Sequence, residues 1–458
     1  MGQDDNVDLL VAGAGGGLIG ALRAAERGLS VLVIEANRHF ATSNNTAMST
    51  AMIPGAGSRW QREAGIADSP ARFRADVDAK TDGQAQDDVA TALTEVSAEL
   101  VEWLADFVGL DLSLVTDFQY PGHSRFRCHT VPGRSGRTML TAVLSRVRQH
   151  QNIDIMTDAE LIALQPSPGD LWQATIATPD GRDLVNSRAI LLATGGFGAD
   201  DQAVSRYVPE IADAVYHGSE WAKGTALRLG RELGGQTADM GAYQGHAALA
   251  MPAATLVGWA TVMNGAVLVD RAGRRFGDES TGYSEFAAVV LERAEGEAWL
   301  LFDRRIYEAS LGFQDFQDTV SSGALRWGAD VAELARLTEI DERRLTDTVA
   351  DIESFAAQHV QDPWGRTWWP APLTGELAAV SVRPALFHTQ GGLVIDRQAR
   401  VLDGDGQPIR GLYASGGAAV GMSGSGAHGY LAGNGLLAAM GLAYLAATEL
   451  SRSTPAGT

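Results

Sequence analysis

Residues 274–286 read RRFGDESTGYSEF and combine two arginines, an acidic pair and a lone tyrosine. A charged run of this kind is usually a solvated surface loop. The alternative is that it forms the wall of an active site, where a tyrosine hydroxyl can take part in acid–base chemistry. The run by itself leaves both interpretations open, and the role of Tyr283 depends on what surrounds it.

A second group suited to chemistry is the glycine turn GAGGG at residues 13–17. An apolar run at 7–11 precedes it, a helical pattern follows, and the buried strand SVLVIE then ends at Glu35. Glycines let a backbone approach a pyrophosphate, and a carboxylate about 20 residues further on can hold ribose hydroxyls. The turn therefore predicts a dinucleotide site. Leu18 stands where G-x-G-x-x-G has its last glycine, which leaves open which glycine packs the helix.

Two more apolar strands run into glycine turns, at 187–200 and 411–417, and with the first they suggest one nucleotide site built from distant segments. No second complete βαβ fingerprint follows, so a separate nicotinamide domain is not expected. Between 241 and 384 tryptophans and charges mix, and residues 341–358 read as an amphipathic helix. We predict an α/β fold with a discontinuous Rossmann-type nucleotide domain at 1–240 and 385–458 and an inserted α+β capping domain at 241–384.

Composition excludes several classes of protein. The chain has 458 residues and a net charge of -20, and an acidic surface repels phosphate backbones and anionic lipid. Neither nucleic acid nor a membrane is therefore an expected partner. The single cysteine, Cys128, excludes an internal disulfide and a multi-cysteine metal site, and we expect a buried thiol and no metal. The acidic N-terminus lacks the pattern of a signal peptide, and the apolar stretch at 431–447 reads as a buried helix, so a cytoplasmic protein is expected.

Seven segments in order resemble the fumarate reductase and ketosteroid dehydrogenase superfamily of FAD flavoproteins. They are the first fingerprint, AGSRWQREAGIADSP, AILLATGGFGAD, RRFGDES, HTQGGLVID, GLYASGG and AGNG. The resemblance implies a two-part FAD domain with an inserted capping domain. Succinate dehydrogenases of this superfamily attach FAD through a histidine before a threonine, where this chain has Asn45 before Thr46, so FAD is expected to be non-covalent. The cofactor-binding residues expected are Gly13, Gly15, Gly16, Gly17, Glu35, Ala36, Ser43, Asn44, Asn45, Thr46, Ala193, Thr194, Gly195, Gly196, Gly416, Gly433 and Asn434.

The resemblance also assigns candidate catalytic residues. Fumarate reductases hold a dicarboxylate with two histidines and two arginines, and one arginine doubles as the proton donor. His246 in YQGHAA and His388 in HTQGG match the histidines, whereas Tyr283 and Tyr430 stand where the arginines are expected. Ketosteroid dehydrogenases carry a tyrosine base at the first of these positions, so the chain resembles that ketone-desaturating branch more closely there.

Each candidate also has a structural interpretation, as a packed tyrosine or a hydrogen-bonded histidine. Tyr120, Arg125, Arg127 and Gly392 are further candidates for contact with a substrate, although the two arginines read more readily as a solvated basic loop.

We expect a dehydrogenase that introduces a double bond next to the carbonyl of a small cyclic ketone, with tyrosine as the base and an external electron acceptor of unknown identity. The alternatives are a flavin ene-reductase and a remodelled flavoprotein without catalysis.

Overall fold

The computed structural model describes residues 6–453 and confirms the α/β class. Its strands are β1 Val7–Ala12, β2 Val31–Glu35, β3 Ile53–Pro54, β4 Ser113–Leu114, β5 Cys128–Thr130, β6 Ile153–Thr157, β7 Glu160–Ser167, β8 Leu171–Thr178, β9 Gly181–Leu192, β10 Val215–Tyr216, β11 Thr237–Ala238, β12 Tyr243–Ala250, β13 Thr255–Leu256, β14 Val267–Val269, β15 Ala298–Asp303, β16 Leu325–Gly328, β17 Leu377–Thr389, β18 Gly392–Leu393, β19 Arg400–Leu402 and β20 Pro408–Ala414. Its helices are α1 Gly17–Glu26, α2 Phe40–Ser43, α3 Arg59–Glu63, α4 Pro70–Lys80, α5 Asp87–Trp103, α6 Gly136–Val147, α7 Asp201–Tyr207, α8 Thr225–Glu232, α9 Ala260–Met263, α10 Tyr283–Arg293, α11 Arg304–Ser310, α12 Gln314–Ser321, α13 Val331–Thr338, α14 Glu342–Gln358 and α15 Asn434–Ser453.

The described residues divide into two compact units. The first comprises the described residues up to Val208, Gly218–Tyr243 and the described residues from His388 onward. The second comprises Pro209–His217 and Gln244–Phe387. The short segment 209–217 belongs to the second unit because β10 pairs with β17 there. In the sequence analysis this segment falls in the nucleotide domain. The domain limits given there, 1–240, 241–384 and 385–458, stay predictions.

The main sheet of the first unit has a parallel core in the order β20, β9, β1, β2, β6, and β19 and the β7–β8 hairpin extend it by antiparallel pairing. The strands β1 and β2 are almost wholly apolar, as parallel strands covered on both faces must be. Ala12 pairs with Leu192, and Leu192 with Ala414. The three glycine turns expected to cooperate therefore leave the sheet side by side, at its carboxyl edge.

Helix α1 packs against α15, and two glycines allow the close approach. A Cβ at Gly16 would lie 2.6 Å from the carbonyl oxygen of Ala439, and one at Gly20 would lie 3.1 Å from that of Ala443. The apolar stretch expected as a buried helix is confirmed as α15, most of whose residues are buried. Over residues 6–453, none of the helices combines the length and the apolar character that a membrane crossing requires.

The second unit is built on a mixed sheet in the order β13, β12, β17, β15, β14, with β10 and β16 also paired to β17. The amphipathic helix expected at 341–358 is confirmed as α14, which buries Leu345, Ile352 and Ala356. Its N-terminus is capped by the Asp341 carboxylate, which accepts a hydrogen bond from the backbone N–H of Arg344 at 2.9 Å.

Candidate active site

The first glycine turn is shaped by contact with the neighbouring strand. Gly13 has φ +111, and a Cβ there would lie 2.2 Å from the carbonyl oxygen of Ala193. The Glu35 carboxylate accepts hydrogen bonds from the N–H groups of Ala14 at 2.7 Å and Asn37 at 2.9 Å. Burial raises the pKa of Glu35 above its ordinary value, and these backbone donors partly oppose that shift. Turn and acidic strand end therefore form one rigid unit, as a dinucleotide fingerprint requires.

The irregular glycine spacing has a packing explanation. A Cβ at Gly17 would lie 2.7 Å from Cγ1 of Val11, so this glycine lets the start of α1 press on β1. Gly16 faces α15 as described above, and a Cβ at Gly15 would lie 2.9 Å from the hydroxyl oxygen of Thr46. Gly17 therefore brings helix and strand together even though Leu18 occupies the usual position of the last glycine.

The residues around the three turns fit a polar ligand of the FAD type. Within the part of the chain that the structure describes, several buried polar atoms near these turns have no hydrogen-bond partner: Asn44 Nδ2, Thr194 Oγ1, Ser415 Oγ and Asn434 Oδ1. A buried polar atom left unsatisfied costs about 1–3 kcal/mol, so their clustering on segments expected to hold a cofactor indicates that a ligand completes them. Gly195 (φ +79) and Gly416 (φ +60) turn the chain at the ends of β9 and β20.

Other expected cofactor residues have protein partners of their own. The Asn45 side-chain oxygen accepts a hydrogen bond from the Ser219 N–H at 2.6 Å, and Ser43 accepts one from Asn37 Nδ2 at 2.9 Å. Gly196 lies against Thr389, because a Cβ there would lie 2.0 Å from the threonine hydroxyl. Gly433 (φ +86) lies against the Met52 carbonyl. Ala36 follows Glu35 directly and is half-buried. Their assignment to the cofactor stays a prediction.

His388 and Tyr430 come together in the first unit. Their ring centroids lie 6.0 Å apart with the rings nearly perpendicular. Gly435, in the first turn of α15, lies against both side chains: a Cβ there would lie 2.8 Å from His388 Nε2 and 3.6 Å from the Tyr430 hydroxyl. Burial lowers the pKa of His388 to about 4, so its imidazole is neutral at neutral pH.

His246 and Tyr283 come together in the second unit. Their ring centroids lie 5.2 Å apart, and His246 also stacks on Phe387 at 5.4 Å. Burial, with a smaller effect of His217, lowers the pKa of His246 to about 3. His246 Nδ1 accepts a hydrogen bond from the Ala248 N–H at 3.1 Å. A neutral imidazole that accepts at Nδ1 carries its proton on Nε2, so His246 presents a hydrogen-bond donor there.

The position of Tyr283 is set by two neighbours in the same unit. Gly282 (φ 144, ψ 154) precedes α10, and Tyr283 is the first residue of that helix. The next residue, Ser284, accepts a hydrogen bond from the N–H of Gly245 at 2.9 Å, which ties the first turn of α10 to the strand of His246. Trp259 contacts both candidate rings, and its indole N–H donates to the Glu279 carbonyl at 3.2 Å.

The charged run that precedes Tyr283 is not a surface loop. Arg275 is buried and forms ion pairs with Glu279 at 2.5 Å and with Asp362. Arg366 forms a third ion pair with Glu279 at 3.1 Å. Burial alone would raise the pKa of Glu279, but the two guanidinium groups hold it below its ordinary value. Only Arg274 of the arginine pair points to solvent, so the run is a folded scaffold on which α10 begins.

Two expected substrate contacts, Arg127 and Gly392, are packed inside the first unit. Arg127 is fully buried and forms ion pairs with Asp68 at 2.9 Å and with Asp76, so the expectation of a solvated loop is wrong for this arginine, and its contact with a substrate stays a prediction. Gly392 lies against the backbone of Ala419, where an added Cβ would come within 2.3 Å of the Ala419 carbonyl carbon, which leaves no room for a ligand at that point.

The remaining two candidates are Arg125 and Tyr120, whose contact with a substrate stays a prediction. Arg125 is exposed and donates to the Ser124 carbonyl at 2.6 Å. Tyr120 packs edge-on against Phe118, beside the small core cluster that contains Cys128. The expected burial of Cys128 is confirmed, and burial raises the pKa of its thiol to about 12.

The structure adds neighbours that the sequence analysis missed: Ser284, Trp259, Phe387, Gly435 and also His123, whose Nε2 lies 3.1 Å from the Ala432 carbonyl oxygen. Two of them had a local signal, because Ser284 follows Tyr283 directly and Phe387 precedes His388. Gly435 belongs to the AGNG motif, but the motif gives it no role of its own. Trp259 and His123 reach their neighbours only through tertiary contacts, so no spacing in the sequence points to them.

Comparison with known proteins supports a flavoprotein. The family model described as "FAD binding domain" matches residues 8–436. A probable fumarate reductase of Shewanella frigidimarina is 27% identical over 95% of this chain and 73% of its own length. A urocanate reductase of Eggerthella lenta is 25% identical over 91% of this chain and 70% of its own length. A 3-ketosteroid-Δ4-(5α)-dehydrogenase from Rhodococcus jostii superposes with a TM-score of 0.75 and 22% identity, covering 98% of each chain. This last likeness shows the fold alone.

Proposed function

The chain belongs to the FAD binding domain family, and from this premise we propose that it is an FAD-dependent ene-reductase that saturates a C=C bond conjugated to an uncharged carbonyl group. FAD is its cofactor and the chain is an oxidoreductase. Reduction has the stronger support, because the two sequence relatives described above are named as reductases. The sequence expectation of a ketone desaturase becomes the second candidate.

The observation that carries the proposal is the neutrality of the two histidine–tyrosine pairs. Neither His246 nor His388 is charged at neutral pH, because burial lowers their pKa values to about 3 and about 4. Tyr283 and Tyr430 stand where the resemblance leads one to expect arginines. Arginine forks bind carboxylates bidentately, and neutral imidazole and phenol groups cannot replace that charge. A carbonyl that needs hydrogen bonds rather than an ion pair suits these residues.

The proton inventory does not separate the two directions, because a tyrosine that gives its proton leaves the same anion that a tyrosine base would start from. Tyrosine hydroxyls titrate near pH ~10 in water, so a tyrosine at neutral pH is ready to give a proton. To act as a base it needs a stabilised anion, and a positive neighbour is the usual means. The His246 ring beside Tyr283 supplies no positive charge, since its pKa is about 3.

In the proposed reaction two of the chain's residues act on the substrate, and bound FAD in its reduced form would supply the hydride for the β-carbon. His246 donates its Nε2–H to the carbonyl oxygen, which draws electron density from the double bond. Tyr283 gives its hydroxyl proton to the α-carbon and recovers a proton from water. An external two-electron reductant restores the cofactor, so electrons and protons balance.

The fate of the two candidate arginines supports an uncharged substrate. Arg127 was a candidate for contact with a substrate, and its guanidinium is bound by Asp68 and Asp76. Arg125 is exposed and donates to a neighbouring carbonyl. Neither arginine supplies the free buried charge that would hold a dicarboxylate.

The second candidate, desaturation of a saturated ketone, is favoured by one specific observation. The resemblance aligns Tyr283 with the tyrosine base of ketosteroid dehydrogenases, and the fold of one such enzyme covers 98% of this chain. The two candidates are the two directions of one reaction, so the test has to separate direction as well as substrate.

The test follows the flavin colour without air. FAD-loaded enzyme is reduced with dithionite and mixed with 2-cyclohexenone or with fumarate, and oxidised enzyme is mixed with cyclohexanone. We expect the enone to restore the yellow absorbance and the other two pairings to leave it unchanged. Fumarate as effective as the enone would refute the substrate class. Bleaching by cyclohexanone without reoxidation by the enone would establish the second candidate. An unchanged flavin absorbance in all three mixtures would indicate a flavoprotein without this catalysis.

A pair of variants controls for reaction at free flavin. Tyr283→Phe removes only the hydroxyl and is expected to slow reoxidation by the enone ~10²–10⁴-fold. Tyr307→Phe makes the same change in α11 of the same unit, where Tyr307 packs on Phe316 and Trp327. It should react like the parent. Equal rates for all three proteins would mean that Tyr283 does not give the proton.

A further inference from the structure

The carbonyl group of Ala432 is one point at which the segment that joins Tyr430 to α15 is held by other parts of the first unit. The oxygen of Ala432 lies 3.1 Å from His123 Nε2 and 3.8 Å from the Cys128 sulfur. Ala432 stands two residues after Tyr430 and two before Asn434 in the sequence. Two side chains from one stretch of the first unit therefore converge on the backbone that carries a candidate catalytic tyrosine and an unsatisfied amide oxygen.

Behind His123 lies a buried chain of charges. Arg127 Nη1 donates to His123 Nδ1 at 3.3 Å, and Arg127 is itself fixed by Asp68 and Asp76. The Phe73 ring covers the guanidinium at 4.6 Å. Because a guanidinium can only donate, Nδ1 must accept, and His123 therefore carries its proton on Nε2 and donates it to Ala432. The direction of both hydrogen bonds is fixed.

The residues on either side of Ala432 are closely packed against their neighbours. Gly122 (φ +82) lies against Leu431, because a Cβ there would lie 2.5 Å from the leucine side chain, so the segment rests directly on the loop of His123. Gly435 is also closely packed, because a Cβ there would lie 2.8 Å from His388 Nε2. A shift of the segment by a few tenths of an ångström would alter the contact of Tyr430 and Gly435 with His388 and move the unpartnered Asn434 Oδ1.

We propose that His123 is a positioning residue, which sets the place of Tyr430 and Asn434 through its hydrogen bond to the Ala432 carbonyl. Arg127, with Asp68 and Asp76 behind it, orients the imidazole for that task. The role in turnover rests on the proposed function and adds to it that Tyr430 and His388 contact the substrate. The placement of Asn434 does not rest on it and can be read from the bound cofactor.

The experiment compares three substitutions of His123 in the FAD-loaded enzyme. His123→Gln places an amide nitrogen near the position of Nε2 and retains a donor for Ala432. His123→Asn is polar but too short to reach, and His123→Leu has no donor. We expect kcat for 2-cyclohexenone to fall about 10²-fold in the Asn and Leu variants with KM within a few-fold, since a displaced group costs that much when binding contacts remain. The Gln variant should recover most of the rate.

His129→Leu is the matched control. His129 is also buried, with its pKa lowered to about 4, and it is the next residue after Cys128 on β5. Successive strand residues point to opposite faces, and His129 meets Ser58 at 2.8 Å rather than Ala432. This variant should lose stability, keep the parent's flavin absorption spectrum and keep its kcat, whereas His123→Leu and His123→Asn should both shift the spectrum.

The outcomes separate the two proposals. If 2-cyclohexenone does not reoxidise the reduced parent enzyme, the proposed function is refuted. The flavin absorption spectra of the His123 and His129 variants then still test whether His123 sets the position of Asn434. Spectra and rates of His123→Asn equal to the parent's would overturn the positioning proposal, and so would failure of His123→Gln to differ from His123→Leu. If the leucine variant does not fold, the asparagine and glutamine variants alone decide.

Discussion

Replacing Arg127 by methionine tests whether this arginine belongs to the scaffold or to the substrate site. Methionine keeps a long apolar side chain and removes the guanidinium. It would leave the Asp68 carboxylate, whose side chain has no exposed surface, without its cation. Removing one partner of a buried ion pair costs about 3–5 kcal/mol, because the other charge stays buried and uncompensated. We expect the free energy of unfolding in urea at pH 7 to fall by about this amount.

The pH dependence of this loss identifies its cause. Burial alone would raise the pKa of Asp68, and hydrogen bonds from Arg127 and Gln61 bring it below its ordinary value. In the parent the stabilisation by this pair is therefore present above the ordinary pKa and is lost as pH falls through the lowered one. In Arg127→Met burial dominates and the carboxyl can take up a proton in mild acid. The difference in stability between parent and variant should therefore shrink from pH 7 to pH 5.

Two further proteins complete the test. Arg125→Met changes an exposed arginine two residues away and should alter stability by less than about 0.5 kcal/mol. Asp68→Asn combined with Arg127→Met should be less destabilised than the sum of the single changes, because the neutral amide no longer needs the cation. If Arg127→Met unfolds like Arg125→Met and instead raises KM, the guanidinium serves the substrate, and its assignment to the scaffold is wrong.

Three other predictions concern the glycine beside His388, the buried histidines and the flavin linkage. Gly435→Ala places a methyl group 2.8 Å from His388 Nε2, so the ring has to shift. Overpacking of this kind costs about 1–3 kcal/mol, which the helix preference of alanine offsets only in part. We expect a lower melting temperature and a turnover rate that drops about 10²-fold, and an unchanged rate would show that the contact does not matter. Four buried histidines have pKa values lowered to about 3 or 4: His123, His129, His246 and His388. Below the ordinary histidine pKa of ~6.5 the unfolded chain binds more protons than the folded one, so the free energy of unfolding must decrease as the pH is lowered. Urea unfolding should show a loss of about 2 kcal/mol per histidine between pH 7 and pH 5, and a profile without this loss would contradict the prediction. Acid precipitation should release all flavin as FAD, since Asn45 stands where a covalent attachment would need histidine, and colour left in the pellet would refute non-covalent binding.

The nucleotide half of the fold was predictable because its signals are local and repeat. Each of β1, β9 and β20 ends in a run of buried, mostly apolar residues that is closely followed by glycine, a pattern that composition reveals without any knowledge of the partner strand. That the three turns cooperate could also be expected, because parallel strands end at one edge of a sheet. The structure places the strands next to one another in the order β20, β9, β1.

The fate of individual charged residues was not predictable in the same way. Arg127 is bound by Asp68 and Asp76, which lie more than fifty positions earlier in the chain. The sequence RFRCHT at residues 125–130 does not show that the guanidinium of Arg127 is held by buried carboxylates while that of Arg125 is exposed. The same limit applies to the strand β10, whose two residues become part of the second unit only by pairing with β17.

The candidate site was predictable to the level of residue types, and its electrostatics were not. Motifs indicated that two histidines match those of the resembled family and that tyrosines stand where its two arginines are expected, but the protonation of a histidine depends on its burial and on what its ring nitrogens contact. In the structure His246 and His123 have the same tautomer, because a hydrogen-bond donor meets Nδ1 in each: the Ala248 N–H at His246 and the Arg127 guanidinium at His123. Both rings are therefore neutral and present Nε2–H.

Fixed neutral histidines have a consequence for how the rate should depend on pH. A histidine that titrates near ~6.5 would switch its role within the physiological range, whereas His246 and His388 keep one protonation state from about pH 5 upward. They can donate a hydrogen bond throughout that range but cannot exchange the reaction's proton there. The proton must then pass through a group that is protonated at neutral pH and can be replenished, and of the four candidate residues only the two tyrosines meet that requirement. Under the proposed function, tyrosines at the positions where the resemblance implies arginines would remove the charge that binds a dicarboxylate and retain a proton to give, which is the combination that an uncharged conjugated carbonyl needs.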